Sequence, residues 1–291
     1  MNLRETVKAT AAKGLAVGHF NVSTLDGVYA VADAARDLKV PVIIGVSEGE
    51  RDYTGVREIA AIVQSIREDR GQEIFLNADH TYSFERVKEA VDAGFDAVIF
   101  DGAKLPLEEN IAVTKKCVEY ARAVGAKTGR EILVEAELGY IGQSSKVLDA
   151  VPEGVQLTDP DMAAQFVKAT GIDMLAPAVG NFHGMLAGSA DLTRAAKKID
   201  PIRVARISEK TGVPLVLHGG SGQGDDLVKK AIKAGISIVH VNTELRVAYR
   251  AGLMKALTDN PDEVSPYKYL RPAKQAMQKV VEEKLMLFNG L

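Results

Sequence analysis

Short apolar runs, nearly continuous and rich in Val, Ile and Leu, recur along the chain at 16–20, 41–46, 74–78, 97–100, 132–136, 173–179, 214–217 and 236–241. A parallel strand covered on both faces reads this way, because neither side of its pleat meets water. Between these runs, apolar positions repeat at helical spacing and predict helices over 25–37, 56–70, 84–93, 107–124, 161–170, 202–211, 225–234 and 244–258, after a leading helix over 3–13. Gly94, Gly171, Gly212 and Gly235 each fall where a helix should stop before the next strand. Eight strands alternating with eight helices over roughly 250 residues is the pattern of an α/β chain folded as a (β/α)8 barrel. An open, doubly wound sheet obeys the same alternation and is the alternative.

Two segments depart from the rhythm. Residues 139–157, with several Gly and Ser, are too long for a simple connection and form a candidate lid. Beyond the last barrel helix, 266–269 (PYKY) predicts a turn and 273–287 a helix, a C-terminal extension suited to the outside of a barrel or to a second subunit. No linker, repeat or low-complexity tract divides the chain, so residues 1–291 are expected to form one domain.

Composition narrows the partners. With 46% hydrophobic and 26% charged residues and a net charge of −3, the chain can build a large core and has no basic excess to draw it to nucleic acid or an anionic membrane. The N-terminus carries charges where a signal peptide needs an apolar core, and no run is long enough to span a bilayer, so a cytoplasmic protein is expected. Cys117, the one cysteine, excludes an internal disulfide and sits among helically spaced apolar residues as a buried structural thiol.

Candidate chemistry gathers at strand ends. The third run closes on Asp79 and His80, a proton-transfer carboxylate beside a metal-ligating imidazole. All five histidines, His19, His80, His183, His218 and His240, fall at or just past the end of a predicted strand, and in a barrel those ends converge on one pocket. His80, His183 and His218 come from the third, sixth and seventh runs, and three imidazoles with an open position describe a site for zinc or a similar divalent ion. A polar pocket without metal is the alternative. Asp101 ends the fourth run, while Glu135 and Glu137 alternate onto one face of the fifth, where burial demands a cation or donor close by. Glycines in 218–224 (HGGSGQG) leave the seventh run for a helix, a setting suited to phosphate.

Taken together, the segments 18–22 (GHFNV), 78–80 (ADH), 100–111 (FDGAKLPLEENI), 135–139 (EAELG), 179–184 (VGNFHG), 217–222 (LHGGSG) and 241–246 (VNTELR) resemble the class II, metal-dependent ketose-bisphosphate aldolases, in order and across nearly the whole chain. The resemblance implies a (β/α)8 barrel that cleaves fructose 1,6-bisphosphate, or tagatose 1,6-bisphosphate, to glycerone phosphate and glyceraldehyde 3-phosphate. It implies Zn2+ on His80, His183 and His218, with Asp101 and Glu137 at positions associated with a second divalent, displaced or monovalent cation. Asp79 would be the acid/base at the C4 hydroxyl. Gly184, Gly219, Ser221, Asn242 and Thr243 would contact substrate or its C1 phosphate, Asn21 and Ser47 would hold more distant parts, and a homodimer or homotetramer is implied. Lys104 is the one lysine near a strand end that a Schiff-base route would need, and it matches an ordinary loop position.

Three positions depart from the family pattern. Ala187 stands where a phosphate-binding lysine is common, His240 replaces an asparagine beside the zinc histidines, and 143–146 (QSSK) lacks the acidic residues of the mobile loop, leaving Asp149 or Glu153 as substitutes. These departures motivate two alternatives: an aldolase for another phosphorylated ketose or sugar acid, and a non-catalytic relative that binds metal or sugar phosphate.

Overall fold

In the computed structural model, which describes residues 1–139, 141–142, 147–148, 156–186 and 199–291, the predicted runs close on themselves. The strands are β1 (Val17–Asn21), β2 (Val42–Val46), β3 (Ile74–Thr81), β4 (Ala97–Phe100), β5 (Leu133–Leu138), β6 (Val147–Leu148), β7 (Met174–Pro177), β8 (Met185–Leu186), β9 (Leu215–Leu217) and β10 (Ile236–Val241). Eight of them form a closed barrel in the order β1-β10-β9-β7-β5-β4-β3-β2, and β6 pairs with β8 apart from it. All pairings among the described strands are parallel, and β1 pairs with both β2 and β10, so the ring closes and the open-sheet alternative does not hold.

Alternation along each strand divides the core in two. Outward residues such as Phe20, Ile44, Leu76, Val98, Val134 and Val239 pack under the helices. Inward residues at the N-terminal end, Val17, Ile43, Phe75, Leu133, Val216 and Ile238, form a second cluster that Leu3 and Val7 plug from the leading helix Leu3–Ala11. Asn2 fixes that helix in place through a capping box with Glu5. The foreseen helix-ending glycines stop their helices at positive φ: Gly94 at 103°, Gly171 at 70°, Gly212 at 65° and Gly235 at 127°.

Two helical readings change. The segment expected to turn at 266–269 is already helix, since Pro266 opens Pro266–Asn289, where its fixed φ suits a first turn and no N–H is missed. The short helix Glu48–Thr54 has no predicted counterpart, because EGERDYT carries no apolar period. The C-terminal helix packs on the helices Leu25–Leu38 and Thr243–Asp259. Cys117 is fully buried, as foreseen, and burial pushes its thiol up to about 12. Among the described residues no helix is long and apolar enough to cross a membrane.

Candidate active site

Following the inward positions toward the C-terminal ends of the strands, apolar side chains give way to polar ones. Val17 is followed by His19 and Asn21, Phe75 by Asn77 and Asp79, Leu133 by Glu135 and Glu137, Val216 by His218, and Ile238 by His240. The period of two thus gathers imidazoles and carboxylates into one layer, all of them buried.

Alternation alone would send Asp79 and His80 to opposite faces. The register between β3 and β4 slips between Ala78 and Thr81, and His80 takes a φ of 26°. This irregularity turns the imidazole back toward the pocket beside the carboxylate. A non-glycine residue at such a φ stores strain, and the surroundings hold it: His80 Nδ1 lies 2.9 Å from Asp101 Oδ2, whose other oxygen accepts the Ala103 N–H at 3.2 Å.

His80, Glu137, His183 and His218 each bring one ligand atom within 4.8 Å of the others. His183 Nε2, His218 Nδ1 and Glu137 Oε2 are buried without a hydrogen-bond partner, while His218 Nε2 is fixed by Glu135 Oε1 at 2.8 Å. Ring nitrogens that converge from three histidines, two of which use their other nitrogen on a carboxylate, are a donor set that could hold a divalent cation. Charge points the same way. Asp79, Asp101, Glu135 and Glu137 are all buried, and this concentration of negative charge draws His80 and His218 up against burial, as it would draw a cation. Burial opposes the charge on His80, yet Asp79 and Asp101 raise it to about 9; Glu137 is likewise drawn against burial to about 2 by His183 and His218. Burial and the His80 charge lower His183 to about 4.

Beside this set, Asp79 is held on two sides. Asn21 Nδ2 donates to its Oδ2 at 2.8 Å, and His240 Nδ1 lies 3.5 Å from its Oδ1. Despite full burial, His80 and His240 hold the carboxyl well below its ordinary value. The His240 ring stacks on His19, with centroids 3.4 Å apart and planes 5° from parallel, and on His218 at 4.3 Å. Burial lowers both His19, to about 4, and His240, so two neutral rings lie face to face. Gly45 leaves room for the stack: a Cβ there would lie 2.0 Å from His19 Cε1. His19, Asp79 and His240 also bring ligand atoms together, but parallel imidazole planes cannot both aim in-plane lone pairs at one ion.

One cleft is lined by Asn21, Asp79, His80, His183, Gly184, Gly219, Ser221, His240, Asn242 and Thr243, each of them singled out in the sequence. Gly184 and Gly219 reach it at φ of 88° and 64°. Ser221 Oγ accepts the N–H groups of Asn242 and Glu244 at 3.1 and 3.4 Å, which joins the loop after β9 to the end of β10. Glu137 is buried beneath the cleft, and Asp101 stands behind His80 instead of in the converging set. Ser47 is not among the lining residues; it precedes the helix Glu48–Thr54 and donates its N–H to Glu50 Oε2 at 2.7 Å. Lys104 is exposed in a turn. The 143–146 segment, Asp149, Glu153 and Ala187 lie outside the described residues.

The helix that sequence periodicity missed supplies three supports. Glu48 Oε1 accepts the Tyr82 N–H at 2.9 Å, and Glu50 Oε2 accepts a second hydrogen from Asn21 at 2.8 Å. Arg51, fully buried, donates to the carbonyls of Val46 and Asp79 at 2.6 and 3.0 Å and to Thr81 Oγ1 at 3.1 Å. An arginine five residues past a strand end carries no signal of burial in the sequence.

Comparison with known proteins places the whole chain in one family. The chain matches the family described as "Fructose-bisphosphate aldolase class-II" over residues 1–290. It is 37% identical over 293 residues to a fructose-bisphosphate aldolase of Geobacillus stearothermophilus, covering 100% of this chain and 97% of the relative. A fructose-bisphosphate aldolase of Staphylococcus aureus strain N315 is 37% identical over 292 residues, with 99% and 97% covered. Among solved structures, the YdjI aldolase of Escherichia coli K12 superposes with a TM-score of 0.82 at 32% identity, with 99% of this chain and 96% of that one covered. A fructose-bisphosphate aldolase of Campylobacter jejuni, 20% identical, shares the fold with a TM-score of 0.82 over 99% of this chain and 94% of that one.

Proposed function

The chain belongs to the class II fructose-bisphosphate aldolase family, and we propose that it cleaves fructose 1,6-bisphosphate reversibly to glycerone phosphate and glyceraldehyde 3-phosphate with Zn2+ on His80, His183 and His218. The observation that carries this reading is the convergence of three imidazoles, each with a nitrogen available, beside a buried aspartate. A bound divalent ion supplies an electrophile that polarises a carbonyl oxygen and offsets the negative charge developing on it.

The chain's own residues do the rest. Asp79, kept ionised by its neighbours, takes the proton of the C4 hydroxyl as the C3–C4 bond opens and returns it in the reverse direction. Asn21 and His240 hold that carboxylate from two sides, so its free lone pairs face the cleft. Glu135 fixes His218 and Asp101 fixes His80, each orienting an imidazole inward, while Glu137 stands ready as a further ligand. Gly184, Gly219, Ser221, Asn242 and Thr243 border the part of the cleft suited to the C1 phosphate, where glycine backbone allows close approach.

Residues 1–291 act as one barrel domain in the cytoplasm, as a homodimer or homotetramer. The test is retro-aldol turnover of fructose 1,6-bisphosphate before and after chelation, with borohydride added to trap any Schiff base. Loss of activity on chelation, its return with Zn2+ and no trapping are expected; turnover that survives metal removal overturns the reading. A second reading, cleavage of tagatose 1,6-bisphosphate or another phosphorylated ketose, draws on His240, whose imidazole lines the cleft within 3.5 Å of Asp79. Relative kcat/KM across these sugars separates the two.

A further inference from the structure

A second cavity of about 130 Å³ adjoins the cleft at Asn21, which lines both. Ser23, Thr24, Glu50, Arg246 and Tyr249 line it as well, so it lies between the loop after β1, the helix Glu48–Thr54 and the helix after β10. Beyond supporting Asn21, Glu50 has no part in the chemistry described above. Its position is nonetheless fixed: Oε2 accepts Asn21 Nδ2 at 2.8 Å and the Ser47 N–H at 2.7 Å. Asn21 Nδ2 also donates to Asp79 Oδ2 at 2.8 Å, so this one amide joins a carboxylate in the second cavity to the carboxylate in the cleft.

We propose that this cavity receives the end of the sugar released as the aldehyde, and that Glu50 makes it a site for hydroxyl groups at which a second phosphate is penalised. The proposal rests on the aldolase reading and adds a specificity to it: fructose 1,6-bisphosphate is cleaved, but less efficiently than a ketose phosphorylated at C1 alone. An anionic end group needs donors, and two beside the cavity, the Asn21 amide and the Ser47 N–H, are already taken by Glu50. Burial pushes the Glu50 carboxyl up, while the hydrogens it accepts from Asn21 and Ser47 draw it down; as a carboxylate it offsets the one positive charge of Arg246, so no net charge remains to hold a dianion. Hydroxyls suit the same wall, since they donate to a carboxylate and accept from a guanidinium or a threonine. Like charges brought together in a partly desolvated pocket reject a ligand more strongly than any contact on its far side can discriminate.

The experiment compares fructose 1-phosphate with fructose 1,6-bisphosphate on the Zn2+-loaded protein, as kcat/KM and as Kd by calorimetry, for the wild type, Glu50→Gln and Glu50→Ala. Glu50→Gln keeps the shape and removes the charge, and the ratio of two sugars on one protein cancels any loss of folded material. Both substitutions should raise the preference for the bisphosphate over the monophosphate by about tenfold or more, with Arg246 no longer offset. A ratio unchanged within twofold in both variants overturns the proposal. Should neither sugar be cleaved by the wild type, the aldolase reading fails, and the Kd ratio, which needs no turnover, still decides for or against Glu50.

Discussion

His218 and Glu135 meet inside the barrel with Nε2 and Oε1 2.8 Å apart, both side chains sealed from solvent. The contact commits Nε2 to the carboxylate and leaves Nδ1 for the converging site. Glu135→Gln should therefore loosen the imidazole without removing a ligand, and weaken Zn2+ affinity by about 10- to 100-fold. Competition against a chromogenic chelator measures this directly, and an unchanged affinity would show that the pair is only packing.

Asp79→Asn keeps the shape beside Asn21 and His240 but cannot accept the substrate proton. The expected outcome is a fall in kcat of about 10²–10⁴ with metal content retained. Metal analysis alongside turnover separates this from loss of the site, and a variant that still turns over at the parental rate assigns the proton transfer elsewhere.

Arg51→Met removes the donor to three buried acceptors, the Val46 and Asp79 carbonyls and the Thr81 hydroxyl. Unpaired buried acceptors cost about 1–3 kcal/mol each, softened where the chain relaxes, so a loss of about 2–4 kcal/mol in unfolding free energy is expected. Denaturant melts give the number. Since the Asp79 carbonyl precedes the strained His80, kcat should fall as well in protein that remains folded.

Asp33 gathers Lys274, Arg70 and Arg36 at 2.5, 2.8 and 3.0 Å, and although burial acts the other way, these cations hold its carboxyl below the ordinary range. A carboxylate depressed in the folded state stabilises above its unfolded value, about 3.9, and loses that contribution as pH falls through the folded value. Asp33→Asn should thus melt below the wild type at pH 7, and the gap should close below about pH 4. A gap that persists into acid would show that the ion pairs are not its source.

The barrel was legible because its strands are buried on both faces: 74–78 and 236–241 read as strands on apolar continuity alone, and the glycines at 94, 171, 212 and 235 punctuate the helices. Asp79, His80, His183 and His218 stood out because imidazoles are few and sit at strand ends. What stayed hidden was direction and depth. No periodicity reveals that a register slip turns His80 inward, that His19 stacks on His240, or that Glu50 and Arg51 reach from a short, charged helix to Asn21 and the Asp79 carbonyl. Pro266 misled for a related reason, since a proline opens a helix as readily as a turn.

Near the end of the chain, Lys284 Nζ reaches Glu244 Oε2 at 2.9 Å, and the other oxygen of Glu244 receives the Gly222 N–H. The last helix therefore grips the glycine loop from the rear through a two-link strap. Loss of the Lys284 ammonium alone, as in Lys284→Met, should slacken the glycine loop while Leu285 and Phe288 of the same helix stay in the core.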